Sequence, residues 1–282
     1  MKEKSFLILD INFDIADRLL LKTVLESEDF ELVAITTHSG YYSSKKASEF
    51  ILGYLNEHGM TLPIAYDDDL NIDQMKIKVK EDGDFKFKSF DYLEEEKAYK
   101  ILYNSAKDSG KVNIISTGPL TNIAKAIKEY DDFTEYIDHL FMKACAFQKG
   151  DVTAFAEFNA FTDPHALDIV LEKHIDRFIL PLDIIRDIYI EENELVERGH
   201  SKELKELLSR KYPQTDQDKF KSLLLFYLFT TPEAFIFEQM GLKVDLKEKR
   251  GRVIKDDTRE KSLIVNRFNL ESFIDYLKAV LK

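Results

Sequence analysis

One cysteine in 282 residues is the first constraint: Cys145 has no partner within the chain, so neither an internal disulfide nor a cysteine-based zinc cluster can form. A reducing, cytoplasmic compartment is the natural setting. Long apolar runs are also missing. No stretch reaches the roughly 18 uncharged apolar residues of a membrane span. The Met-Lys-Glu-Lys-Ser start lacks an apolar signal core followed by a small-residue cleavage site. Positive charge is in deficit, with 40 Lys and Arg against 52 Asp and Glu, giving −12 at pH 7. Such a surface repels nucleic-acid backbones and anionic membranes but not a small neutral ligand. Internal repeats, low-complexity tracts and Gly/Ser linkers are absent, so one domain over 1–282 is expected. A chain of this size buries about three quarters of its unfolded surface, and its 44% hydrophobic content suits that core.

What the sequence does contain is alternation. Apolar, β-rich runs at 6–10, 32–37, 112–117, 139–144 and 177–183 lack the polar alternation of a half-exposed sheet. Helical patterns near 14–27, 43–57, 91–108, 119–129 and 163–173 lie between them. The spacing predicts an α/β fold, a mostly parallel open sheet with crossover helices on both faces. A β-hairpin about Asp82-Gly83, a helical subregion near 190–240, short strands over 243–266 and a closing amphipathic helix complete the expectation. Ligands of such sheets bind beyond the carboxyl ends of the strands. Asp10, Thr37, Thr117, Ala144 and Asp183 fall there.

The segment "LDINFDIAD" is the most telling, because Asp10, Asn12, Asp14 and Asp17 crowd one turn between a strand and a helix. Oxygens so gathered suit a ligand or metal site. A strand-end aspartate can equally bond loop amides, and Asp14 can simply cap the helix. An EF-hand is excluded, since the sixth position is Ile15 and the twelfth is Leu21. A phosphatase of the D-x-D type would need an acid where Asn12 stands. Asp163-Pro164 reads as a helix start, with Asp as cap and Pro at the first position.

Three segments, "ISTGPLTNIAKAI" (115–127), "AEFNAFTDPHALDIVL" (156–171) and "ILPLDI" (179–184), resemble motifs of the nucleoside hydrolases, which split nucleosides into base and ribose. "LDINFDIAD", "VAITTHSG" (33–40) and the C-terminal strand and helix match in order and spacing, so the resemblance spans almost the whole chain. It implies a nucleoside hydrolase-like fold, a nucleoside or ribose-like ligand and a homo-oligomer. It also implies a calcium ion, which holds the ribose hydroxyls and acidifies the attacking water, while an aspartate takes the proton. The family loop reads D-x-D-P-G-x-D-D, in which the second and fourth aspartates bind the metal together with a carbonyl of the TGPLTN turn and an aspartate of a later H-D-P.

Against that pattern the chain departs at several positions. Asp10 and Asp17 match the first and last aspartates, but Asn12 stands at the metal-binding, water-activating one and Ala16 at a ribose-holding one. Phe13 and Asp14 replace Pro-Gly, Thr230 and Thr231 replace the histidine and aspartate of H-D-P, and "MKA" (142–144) replaces M-G-G. An Asn cannot accept a proton at neutral pH, and loss of a general base costs about 10²–10⁴ in rate. The resemblance therefore implies a ribose- or nucleoside-type pocket with calcium-dependent hydrolysis impaired or lost. Asp151, Glu157, Asn159, Asn12, His38 and Tyr41 are the expected ligand contacts. One alternative is an active N-ribohydrolase with Asp10 or Asp14 as a rewired base; another is a non-catalytic structural or regulatory subunit. No cofactor is expected unless calcium binds, in which case Asp10, Asp17 and the Thr117 carbonyl would hold it.

Overall fold

The computed structural model describes residues 5–68, 70–77, 96–186, 188, 190, 195, 205 and 219–281. The sheet begins with β1 (Ser5–Ile11), β2 (Phe30–Thr37) and β3 (Ile64–Ala65). It continues through β4 (Val112–Ser116), β5 (Ile137–Lys143) and β6 (Arg177–Leu180), and ends with β7 (Phe235–Asp245), β8 (Arg252–Lys255) and β9 (Lys261–Phe268). These nine strands lie in the order β3-β2-β1-β4-β5-β6-β9-β7-β8. Pairing is parallel from β3 across to β9, while β7 runs antiparallel to both β9 and β8.

Burial on both faces explains the continuous apolar strands. Leu7, Leu9 and Ile11 of β1, with Ile35, Ile115 and Leu180, pack on one side under α1 (Ile15–Glu26), α2 (Ser44–Glu57) and two later helices. Ile8, Ala34, Ile114, Leu140 and Ile179 face the other side. There they meet α3 (Ala98–Ser109), α4 (Thr121–Glu129) and α6 (Pro164–Glu172), the last preceded by the short α5 (Phe158–Thr162). The helix starts are sequence-encoded. The side chains of Asp14, Ser43 and Asp163 accept from the backbone N–H three residues on, and Pro164 opens α6.

Two expectations are corrected. The run 177–183 does not carry Asp183 on a strand end: β6 stops at Leu180, Pro181 follows, and Asp183 lies on α7 (Leu182–Arg186). The helical subregion does not extend to 240. Its described helix, α8 (Lys221–Thr230), ends before Pro232, and Phe235 already begins β7. Most of the hairpin about Asp82-Gly83 and most of 190–218 lie outside the described residues. The chain closes with α9 (Leu270–Val280), capped by Asn269. Among the described residues no helix is long and apolar enough to cross a membrane.

Candidate functional site

The chain leaves β1 toward β2 and β3, then returns to β1's other side with β4. That reversal creates a switch point at the carboxyl ends of β1 and β4, the usual ligand crevice of an open α/β sheet. Asp10 and Thr117 meet there, with Thr117 N–H donating to the Asp10 carbonyl at 3.0 Å.

The Asp10 side chain is fully buried. Its Oδ1 accepts from Thr36 Oγ1 at 2.8 Å and from Asn122 Nδ2 at 2.8 Å, and its Oδ2 accepts from Ser116 Oγ at 2.9 Å. Thr36, Ser116 and Asn122 are buried as well, so one carboxylate locks three elements at the sheet edge. Asn122 donates further to the Thr37 carbonyl at 2.9 Å.

Asn12 is occupied in the same manner. Its Nδ2 donates to the carbonyls of His38 (2.7 Å) and Tyr42 (2.9 Å), while its Oδ1 accepts from Tyr42 N–H at 2.9 Å. The amide thereby closes the 38–42 loop onto the β1 end. Asn12 N–H donates to Asp17 Oδ2 at 2.9 Å, and Ser222 Oγ of α8 donates to Asp17 Oδ1 at 2.8 Å. Burial, reinforced by the neighbouring Asp14 charge, raises the Asp17 pKa, against the pull of Lys143 and His38. Asp14 caps α1 and reaches Lys221 at 3.4 Å. Phe13, in place of a proline, is wholly buried with its ring 5.8 Å from that of Phe50.

A second cluster forms where β5 ends. Asn159 lies on α5, and its Nδ2 donates to the carbonyls of Lys143 (3.0 Å) and Thr117 (3.3 Å). Glu157 caps α5, its Oε2 accepting from Ala160 N–H at 3.1 Å. Burial, then the Asp151 charge, pushes the Glu157 carboxyl up to about 7 against the pull of two backbone amides and Lys143. Asp151 itself sits on the exposed strand-to-helix loop. Burial and the Lys221 charge lower the Lys143 ammonium to about 8 despite attraction from Asp17, Asp14 and Glu157. Asp183 serves elsewhere, accepting from Phe147 N–H and Gln148 N–H.

His38 is buried between these clusters, with Nε2 3.4 Å from Thr117 Oγ1 and Nδ1 3.2 Å from the Ser39 carbonyl. Its ring lies flat against Gly118, where an added Cβ would stand 2.1 Å from Cε1. The glycine of the "TGP" turn therefore makes room for the imidazole. Gly118→Ala is expected to lower stability by about 1–3 kcal/mol through overpacking. In urea unfolding, Gly118→Ala combined with His38→Ala should recover part of that loss; strict additivity of the two changes would contradict the contact. Tyr41 is half-buried and packs edge-on against Tyr42, ring centroids 5.0 Å apart.

Asp10, Asn12, Asp17, Thr117, His38, Glu157 and Asn159 thus converge, with Asp14 and Tyr41 at their margin and Asp151 on the outer loop. The sequence pointed to Lys143 only as a residue that could fill the pocket, and it gave no role to Asn122, Ser116, Thr36 or Ser222. Asn122 belongs to the quoted "TGPLTN" and Lys143 is a lone charge closing an apolar strand, so both carried a signal. Ser222, 205 residues from Asp17, carried none. Among the described residues no group of three or more His, Cys, Asp or Glu side chains is placed to hold a metal ion.

Carboxylates and side-chain amides gathered at the switch point of a mostly parallel sheet mark an α/β protein with a polar cluster where such sheets usually take their ligands. The chain belongs to the inosine-uridine preferring nucleoside hydrolase family, whose sequence profile matches residues 7–275. It is 32% identical over 110 residues to "Probable uridine nucleosidase 2" of Oryza sativa subsp. japonica, covering 38% of this chain and 33% of that protein. It is 23% identical over 186 residues to "Non-specific ribonucleoside hydrolase RihC" of Klebsiella pneumoniae (strain 342), covering 63% and 61%. The chain thus covers only about a third of the rice protein and less than two thirds of the bacterial one. The fold extends further: an inosine-guanosine nucleoside hydrolase superimposes with a TM-score of 0.84 at 16% identity over 98% of both chains. A purine-preferring ribonucleoside hydrolase from Gardnerella vaginalis gives 0.81 at 20% over 98% of both.

Proposed function

We propose that this chain binds a ribose- or nucleoside-type ligand at the carboxyl edge of its sheet, with calcium-dependent N-ribosidic hydrolysis impaired or lost. The observation that carries this reading is the condition of Asn12. Its amide is consumed by three backbone bonds, and a neutral amide does not take a proton from water.

The residues present do not fit calcium. That ion takes six to eight oxygens, several of them charged. Here Asp10 is enclosed by three neutral donors, Asp17 is bonded by Ser222 and a backbone amide, and the Thr117 carbonyl accepts from Asn159. Positions 12, 16 and 231 supply amide, methyl and hydroxyl groups. Glu157 and Asn159 remain buried and convergent, and they are the proposed ligand contacts, with Asp151, His38 and Tyr41 beside them. A second reading, turnover with a rewired base, favours Asp14 over Asp10, because Asp14 keeps 11% side-chain exposure and a cation, Lys221, at its side. The single buried Cys145 is consistent with a cytoplasmic setting.

The protein incubated with inosine, uridine, adenosine and cytidine, in calcium or in EGTA, provides the test. Thermal stabilisation by a nucleoside without release of base is expected. Rapid base release that EGTA abolishes would overturn the proposal; release that persists in EGTA would favour the second reading.

A further inference from the structure

Lys143 closes β5 at the carboxyl edge of the sheet, and only 7% of it is exposed. Lysine is rarely buried to this extent without a carboxylate in contact. Among the described residues, however, its ammonium makes no hydrogen bond and no ion pair. The strand end is held rigidly by Asn159, which donates to the carbonyls of both Lys143 and Thr117. Three carboxylates, Asp17, Asp14 and Glu157, exert the attraction on its charge, opposed by Lys221. Asp17 is held in place by Ser222, and Glu157 by its capping bond to Ala160.

The ammonium has three donors and no acceptor within the described residues, yet its nitrogen is not among the fully enclosed unpartnered atoms, so its acceptors come from water or from a bound molecule at the sheet edge. The fold makes no demand for it, since the motif resembled by "MKA" has glycine at this position. The carboxylates at positions 12 and 231 that would make a divalent ion tolerable are absent, so a single charge balances what remains.

We propose that the Lys143 ammonium is the resident cation of this site, standing in for a metal ion, and that it donates to the hydroxyl oxygens of a furanose ligand. The second half rests on the proposed nucleoside-type pocket; the first half does not. Donors on Lys143 alternating with acceptors on Glu157 and Asp17 match vicinal hydroxyls, each of which both donates and accepts.

Two measurements on the full chain separate these halves. In the first, Tb³⁺ and Ca²⁺ are titrated into the wild type, Lys143→Met and Lys143→Arg, each checked for fold by circular dichroism. Removing the fixed charge from among three carboxylates is expected to raise cation affinity about tenfold or more in Lys143→Met, with Lys143→Arg staying like the wild type. Equal cation affinity in all three, or a wild type that already binds calcium tightly, overturns the resident-cation role. In the second, D-ribose and inosine are tested by thermal shift in EGTA. The wild type should respond equally with and without calcium, and Lys143→Met should bind about tenfold or more weakly, the effect of losing a charged hydrogen bond. Undiminished binding by Lys143→Met overturns the contact with ligand. Should the wild type bind neither probe while the cation result holds, the nucleoside-type pocket fails and the resident cation stands.

Discussion

Asn12→Asp, the change toward the carboxylate that the resemblance implies at this position, is expected to destabilise this protein. The Asn12 Nδ2 lies 2.7 Å from the His38 carbonyl and 2.9 Å from that of Tyr42. A carboxylate oxygen in that place faces two carbonyl oxygens with no proton to share. Two buried acceptors lose their donor, and a charge is added against two carbonyl oxygens. Unsatisfied buried polar groups cost about 1–3 kcal/mol each, and the repulsion between the new charge and those carbonyl oxygens raises the sum. A loss of about 3–5 kcal/mol at pH 7 follows, readable as a lower urea midpoint with an unchanged slope. Asn12→Ala removes the same donors without adding charge and should lose less. An aspartate variant as stable as the wild type would mean that the 38–42 loop is not held by this amide.

The fold was largely legible because its signals are local or strictly periodic. Strands buried on both faces announce themselves as unbroken apolar runs. Asp14, Ser43 and Asp163 mark helix starts through the hydrogen bonds that only short polar side chains make there. The two boundaries that differ from expectation each sit beside a proline. Pro181 donates no N–H, so β6 cannot carry Asp183 onto the sheet, and Pro232 stops α8 before the β-rich "FIFEQM" of β7. The site was legible only as a list of members. That Asp10 stands at a strand end could be read directly. That its oxygens are spent on Thr36, Ser116 and Asn122 could not, since each comes from another strand or helix. The same holds for Ser222, brought to Asp17 by a helix near the other end of the chain. Which oxygens are free is a tertiary property, and it decides whether an acidic loop can hold a cation.

Lys143→Met should make the protein more stable, and the gain should depend on pH in a way that identifies the charge as its cause. Burial lowers the ammonium from the ordinary 10.5 to about 8, a value already net of the attraction to Asp17, Asp14 and Glu157. At 1.36 kcal/mol per pKa unit, keeping Lys143 charged in the native state costs about 3 kcal/mol. Methionine fills a similar volume without charge. Below pH 8 both folded and unfolded wild type hold the proton, so the full cost is present. Between about 8 and 10.5 the unfolded chain binds more protons than the native one, and wild-type stability rises with pH in that window. The variant has no such group and shows no such rise. At pH 7 the variant should therefore melt about 5–10 °C higher, with the gap closing as pH approaches 10. A residue whose removal strengthens the fold while weakening ligand binding is one kept for function, because stability and a charged site compete for the same buried volume. A Lys143→Met protein that melts below the wild type at pH 7, or by the same margin at pH 7 and 10, would place the ammonium in water rather than among the carboxylates.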